Sequence, residues 1–188
     1  MIRSFLAIEL PKTILKKIDE VQGDLKSSRA DVRWVSPENI HLTLKFFGNI
    51  DESKIEAIVE AIERPVKGTL GFFIKVKGLG AFPHLKNPRV VWMGLAEGKE
   101  ILTSFQRQLE GELEKIGFER EERPFQPHLT LGRSNSSRGR DELVGMIEQR
   151  REEEFGEIPV EKVVLFKSEL RPSGPIYTAL RELKLGGQ

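Results

Sequence analysis

The tetrapeptide HLTL occupies His41–Leu44 and returns at His128–Leu131, 87 positions later. The chain has three histidines, and two of them stand at the head of these identical words. On a β-strand, residues i and i+2 point to one face and i+1 and i+3 to the other. Each word therefore sends histidine and threonine to one face and two leucines to the opposite one. Packing explains the leucines, and strand propensity goes some way toward explaining threonine. Neither explains histidine twice.

The words sit inside strand-like stretches. "IHLTLKFFG" at 40–48 is apolar and closes on Gly48, and "HLTLGR" at 128–133 follows a loop containing Pro124 and Pro127. Working outward, residues 2–10 form a strand that stops at Pro11. Ile14, Ile18, Val21 and Leu25 recur at three or four positions, which predicts an amphipathic helix over 12–28. "VRWV" is a short strand and "SPEN" a turn. Residues 51–64 form a helix capped by Asp51 or Ser53 and ended by Pro65, and residues 70–82 form a strand.

The second half repeats this order. Residues 89–97 form a strand. Ile101, Leu102, Phe105, Leu109, Leu113 and Ile116 mark one face of a helix that Gly117 ends. After the second HLTL come a helix over 140–154, a strand over 160–170 and a last strand over 176–185. Arg3 precedes His41 by 38 positions, and Arg89 precedes His128 by 39. Two copies at this period make an internal repeat and not a solenoid. The fold class is α+β, a single domain over 1–188. It has two similar lobes, approximately 1–80 and 88–188, related by pseudo-two-fold symmetry. Each lobe is an antiparallel or mixed sheet with outer helices, and a groove lies between them. "GAFPHLKNP", 80–88, is the connection, and the unmatched His84 within it is a surface or structural residue.

Composition narrows the function. The 188 residues are 38% hydrophobic and 31% charged, a soluble globular profile with no apolar run of membrane-spanning length. Cysteine is absent, which removes disulfides and thiol chemistry. Histidine lacks the H-x-x-x-H spacing, and no GxxxxGK[ST] loop occurs, so neither a metal nor a cofactor is expected. The N-terminus lacks a signal-peptide core, and the expected location is cytoplasmic. Net charge is only +1. Coating long nucleic acid needs a basic excess, so any nucleic-acid contact should be local.

Two imidazoles around one groove suit metal-free phosphoryl chemistry. Near neutral pH one ring can be neutral and take a proton from water, while the other is charged and gives one to a leaving oxygen. Thr43 and Thr130 can hydrogen-bond phosphate oxygens. Arg133, five residues past His128, can bind two of them. Phe5, Trp34, Phe47, Phe82 and Tyr177 can stack on a base, but each reads first as core.

Together, "RSFLAIELP", "ENIHLTLKFFG", "GAFP" with "PRVVWMGL", "FQPHLTLGR" and "LRPSGPIYTAL" resemble the two-histidine phosphoesterase superfamily. Within it they are similar to the RNA 2′,3′-cyclic phosphodiesterases, also called 2′-5′ RNA ligases, of bacteria and archaea. The resemblance covers almost the whole chain. It implies hydrolysis of a terminal RNA 2′,3′-cyclic phosphate to a 2′-phosphomonoester, and possible reverse 2′-5′ joining. It makes His41 the proton donor and His128 the proton acceptor, with Thr43, Thr130 and Arg133 on the phosphate. The partners would be RNA 3′ ends or nucleotides carrying the cyclic phosphate, with no membrane, and the chain would act as a monomer. Two rival readings are a non-catalytic RNA-end or nucleotide-binding module and a phosphodiesterase for small cyclic nucleotides.

Overall fold

The computed structural model describes residues 1–186. Nine strands and four α-helices are found among them. Strands β1 (Ile2–Ile8), β3 (Leu42–Ile50), β8 (Lys162–Arg171) and β9 (Gly174–Lys184) form one antiparallel sheet in the order β3-β1-β8-β9. Strands β2 (Val32–Trp34), β4 (Phe72–His84), β5 (Asn87–Leu95), β6 (Leu129–Ser134) and β7 (Glu154–Val160) form the other, in the order β2-β6-β5-β4-β7. Leaving out the short edge strand β2, the two sheets repeat one plan. The motif strand is outermost, the strand that opens each half lies beside it, and a long strand comes third, β8 in the first sheet and β4 in the second.

That third strand comes from the opposite half. β4, from the first half, joins the second sheet, and β8, from the second half, joins the first. The helices cross over in the same way. Helix α1 (Lys12–Lys26) packs against β7 and helix α4 (Arg140–Glu148), and α4 also touches β4. Helix α3 (Lys99–Lys115) packs on helix α2 (Ile55–Gly68), which leans on β9. The sequence halves thus interleave in space, and the boundary expected at 80–88 is not a boundary between lobes. It lies within the β4–β5 hairpin, which turns at Leu85–Lys86. His84 is an exposed residue at the end of β4.

Three further expectations are corrected. Pro65 does not end α2 but lies buried within it, one turn before Gly68. The helix expected over 140–154 stops at Glu148, because "EFGEIPV" forms β7 against β4. Ile158 and Val160 alternate on the buried side, and a bulge at Phe155 brings that ring to the core as well, but the acidic run before the strand imitates a helix. The strand expected over 160–170 is β8, which begins two residues later at Lys162, because Val160 ends β7 and the chain turns at Glu161.

One apolar core joins both helical layers to the inner sheet faces, and includes Leu42, Leu44, Leu129 and Leu131. A separate small cluster of Phe5, Ala7, Val164 and Phe166, with Tyr177 against it, occupies the other face of the first sheet. That sheet is therefore apolar on both sides. Its second side forms part of the floor beneath the groove.

Candidate active site

Both motifs open onto one groove of about 1250 Å³ whose walls include His41, Thr43, His128, Thr130 and Arg133. All five site residues expected from sequence are thus brought together. Each histidine immediately precedes its strand. Leu42 and Leu129 are buried on the core side, and Thr43 and Thr130 face the groove.

The two imidazoles are held alike. His41 Nδ1 lies 3.2 Å from the Asn39 carbonyl oxygen, and His128 Nδ1 lies 2.7 Å from that of Gln126. A carbonyl can only accept, so Nδ1 carries the proton in both rings and donates it two residues back. Nε2 is left for chemistry. Aromatic rings fix the planes. Phe166 and Tyr177 lie 4.8 and 5.4 Å from His41, and Phe82 meets His128 edge-on at 4.9 Å.

Burial pushes both histidines below the ordinary imidazole value, because a charged ring loses water there. The backbone hydrogen bonds work in the opposite direction. Beyond these shared effects the charges differ. The Glu9 carboxylate favours the proton on His41, and the Arg133 guanidinium disfavours it on His128.

A bulge aims the arginine. Five residues from His128 is an odd offset, so on a regular strand Arg133 would face the core. Trp92 pairs with Thr130, but Val91 pairs with Gly132, so Leu131 is an extra residue in β6. The bulge turns Gly132 toward the core, opposite buried Val91, and Arg133 toward the groove, as bulges beside active sites commonly do. The first motif carries the same bulge. Ala7 pairs with Thr43 and Leu6 with Lys45, leaving Leu44 extra.

Each bulged leucine has its carbonyl capped by a buried glutamine from a long helix. Gln106 Nε2 donates to Leu44 O at 3.3 Å, and Gln22 Nε2 donates to Leu131 O at 2.9 Å. Lys45, turned inward, pairs with Glu110 at 3.0 Å and donates to Glu119 O at 2.7 Å. Glu110 also accepts from the Glu121 amide. This buried pair anchors the groove-lining loop that leads to His128.

Charge is segregated. Arg33, Arg107, Arg120, Arg123, Arg133 and Arg171 line the groove, against Glu121 and the already paired Glu110. A near-neutral chain thus presents a basic groove suited to a few phosphates. Among the described residues no cluster of three or more metal-ligating side chains occurs, and no helix is long and apolar enough to cross a membrane.

Of the aromatic residues considered from sequence, Phe5 is buried beneath His41, Phe82 abuts His128, and Trp34 and Tyr177 line the groove. Phe47 packs on Phe118 instead. Sequence reasoning missed Glu9, Gln22, Gln106 and the groove-facing Phe46. A direct alignment of "HLTLKF" with "HLTLGR" places Phe46 opposite Arg133 and would have drawn attention to it.

The model of the 2′-5′ RNA ligase superfamily matches residues 10–171. An RNA 2′,3′-cyclic phosphodiesterase of Methanothermobacter thermautotrophicus is 41% identical over 184 residues, 98% of this chain and 99% of the relative. One from Aquifex aeolicus is 34% identical over 188 residues, covering 100% and 99%. Among solved structures, a protein of Thermus thermophilus superposes with a TM-score of 0.79 at 28% identity, covering 99% of both chains. E. coli LigT complexed with 3′-AMP superposes with a TM-score of 0.77 at 25% identity and 98% coverage of both.

Proposed function

The chain belongs to the 2′-5′ RNA ligase superfamily, and from that membership and the paired site we propose that it is an RNA 2′,3′-cyclic phosphodiesterase using two-histidine acid–base catalysis. The observation that carries the reading is the pair of imidazoles, each tied at Nδ1 to a carbonyl two residues back and each facing one basic groove.

His128 is the base. With Nδ1–H held by Gln126, its Nε2 lone pair takes a proton from water as the water oxygen attacks phosphorus. The P–O3′ bond breaks, and the O3′ takes the Nε2 proton of His41. The product is a 2′-phosphomonoester. Afterwards His41 is neutral and His128 protonated, and exchange with solvent resets them. The charges support these labels: Glu9 helps His41 keep its proton, and Arg133 helps His128 stay without one. Thr43, Thr130 and Arg133 hold the non-bridging oxygens, where positioned donors stabilise charge developing in the transition state. One chain supplies both motifs, so a monomer suffices, acting on RNA ends in the cytoplasm.

The test is hydrolysis of a cyclic-phosphate-ended oligonucleotide in chelator. His41→Ala and His128→Ala should each lose about 10²–10⁴-fold in kcat. Wild-type turnover in either variant overturns the mechanism. The pH profile should be a bell. Its acid limb reports His128, which must be neutral, and its alkaline limb reports His41, which must be protonated. Burial lowers both groups, so both limbs should lie on the acid side of their ordinary imidazole positions.

A further inference from the structure

Helix α1 buries Ile14, Ile18, Val21 and Leu25, and among them one polar residue, Gln22. Gln22 is 1% exposed. An aliphatic side chain would pack there without stripping water from an amide, so both amide hydrogens need acceptors. Both have one. Gln22 Nε2 donates to Val35 O at 2.7 Å and to Leu131 O at 2.9 Å.

The two acceptors lie on the approaches to different motifs. Leu131 is the extra residue of the β6 bulge, two positions before Arg133. Val35 follows β2 and opens the segment that leads through Asn39 to His41. Val35 N donates to Leu131 O at 2.9 Å. In a regular antiparallel pair the return bond would run from Leu131 N to Val35 O. Here Val35 O accepts from Gln22 instead, so the side chain closes a pairing that the bulge interrupts.

Strand β2 needs such a closure. It is three residues long, lies at the sheet edge and pairs with β6 alone. Its Arg33 stands directly opposite Arg133, and both line the groove. Like charges on facing positions push two strands apart. Val32 and Trp34 meanwhile close over Gly132, the neighbour of Arg133. Keeping β2 seated therefore fixes the backbone from which the guanidinium extends. The matching glutamine of the second half does less. Gln106 reaches Leu44 O at 3.3 Å, and its second contact is Glu110 on its own helix.

We propose that Gln22 is a positioning residue for Arg133: by clamping Val35 to the bulge at Leu131, it holds β2 on β6 and the guanidinium at the phosphate. The proposal rests on the cyclic-phosphodiesterase reading and adds the residue that sets the aim of its arginine.

The experiment combines kinetics with an imidazole titration. Gln22→Met keeps the bulk and removes both donors. On a cyclic-phosphate-ended oligonucleotide it should lower kcat by up to about 10²-fold, the effect of a reacting group's partner displaced by a remote change. In an Arg133→Met background the same substitution should cost almost nothing further, because the two residues act as one. With three histidines in the chain, the His128 titration can be followed by NMR in every variant. The Arg133 guanidinium disfavours the proton on His128. Gln22→Met should therefore move that titration up toward the ordinary imidazole value, as Arg133→Met does, with no added shift in the double variant. Ile18→Val, a small cavity one turn earlier on α1, should destabilise the chain and move neither readout. Gln22→Asn, whose amide falls one methylene short of the two carbonyls, should show both effects in smaller measure and takes the place of Gln22→Met if that variant does not fold. A wild-type His128 titration in the Gln22 variant, or a kcat loss that persists in full in the Arg133→Met background, overturns the proposal. Failure of the wild-type protein to hydrolyse any cyclic-phosphate oligonucleotide would instead overturn the underlying reading, and the titration would still decide the role of Gln22.

Discussion

Strands β3 and β6 follow a histidine with the same three residues, carry the same bulge at the second leucine, and have that bulge capped by a glutamine from the opposite half. They diverge at the next two residues. After the first motif come Lys45, turned into the core against Glu110, and Phe46, turned into the groove. After the second come Gly132 and Arg133. At Gly132 an added Cβ would lie 2.6 Å from Val32 and 3.0 Å from Trp34, so β2 occupies the space a side chain would need. At Lys45 the same inward position reaches α3 and the loop that leads to His128. The duplication supplies two equivalent imidazoles, and the divergence after it makes them unequal. One lobe offers a ring and a structural ion pair, and the other a guanidinium.

Three substitutions probe this difference. Lys45→Met should have the largest effect. It leaves the buried Glu110 without its cation, which costs about 3–5 kcal/mol, read in a urea denaturation midpoint. Lys45→Met combined with Glu110→Leu should recover most of that loss. Equal destabilisation in the single and double variants would show that the pair does not anchor the loop.

Arg133→Met should come next, lowering kcat/KM about 10²–10³-fold, the usual cost of one transition-state donor. The guanidinium also disfavours the proton on His128. Its removal should therefore move the acid limb of the pH profile toward neutral pH. A loss of rate with an unmoved limb would separate its phosphate role from its effect on His128.

Glu9→Gln should give the smallest change. The carboxylate favours the proton on His41. Without it His41 deprotonates at lower pH, and the alkaline limb should move to the acid side while the acid limb stays. Lys162 already pairs with Glu9 at 3.3 Å, which keeps the shift modest. Movement of the acid limb instead would reverse the acid and base labels.

The repeat, the paired chemistry and most elements were legible because they rest on local signals: periodicity, alternation and a duplicated word. The missed elements had misleading local signals. "RREEE" extends a helical charge pattern into what becomes a turn and then β7, and Pro65 looks like a stop although the last turn of α2 accommodates it. The lobe boundary was unreadable for a different reason. Sheet membership depends on long-range pairing, and two similar halves can pair within themselves or exchange strands with the same hydrophobic pattern.

By itself, then, the sequence determined that two histidines and two threonines would share a face with leucines behind them, since strand alternation and burial leave no other arrangement. Only the tertiary structure decided that the halves exchange β4 and β8, that a bulge brings Arg133 and Phe46 onto the site face, and that Glu9 and Arg133 set the two imidazoles apart. A bulge is defined by the register of a neighbouring strand, and a pKa by charges distant in the chain. Neither is a property of the residues taken in order.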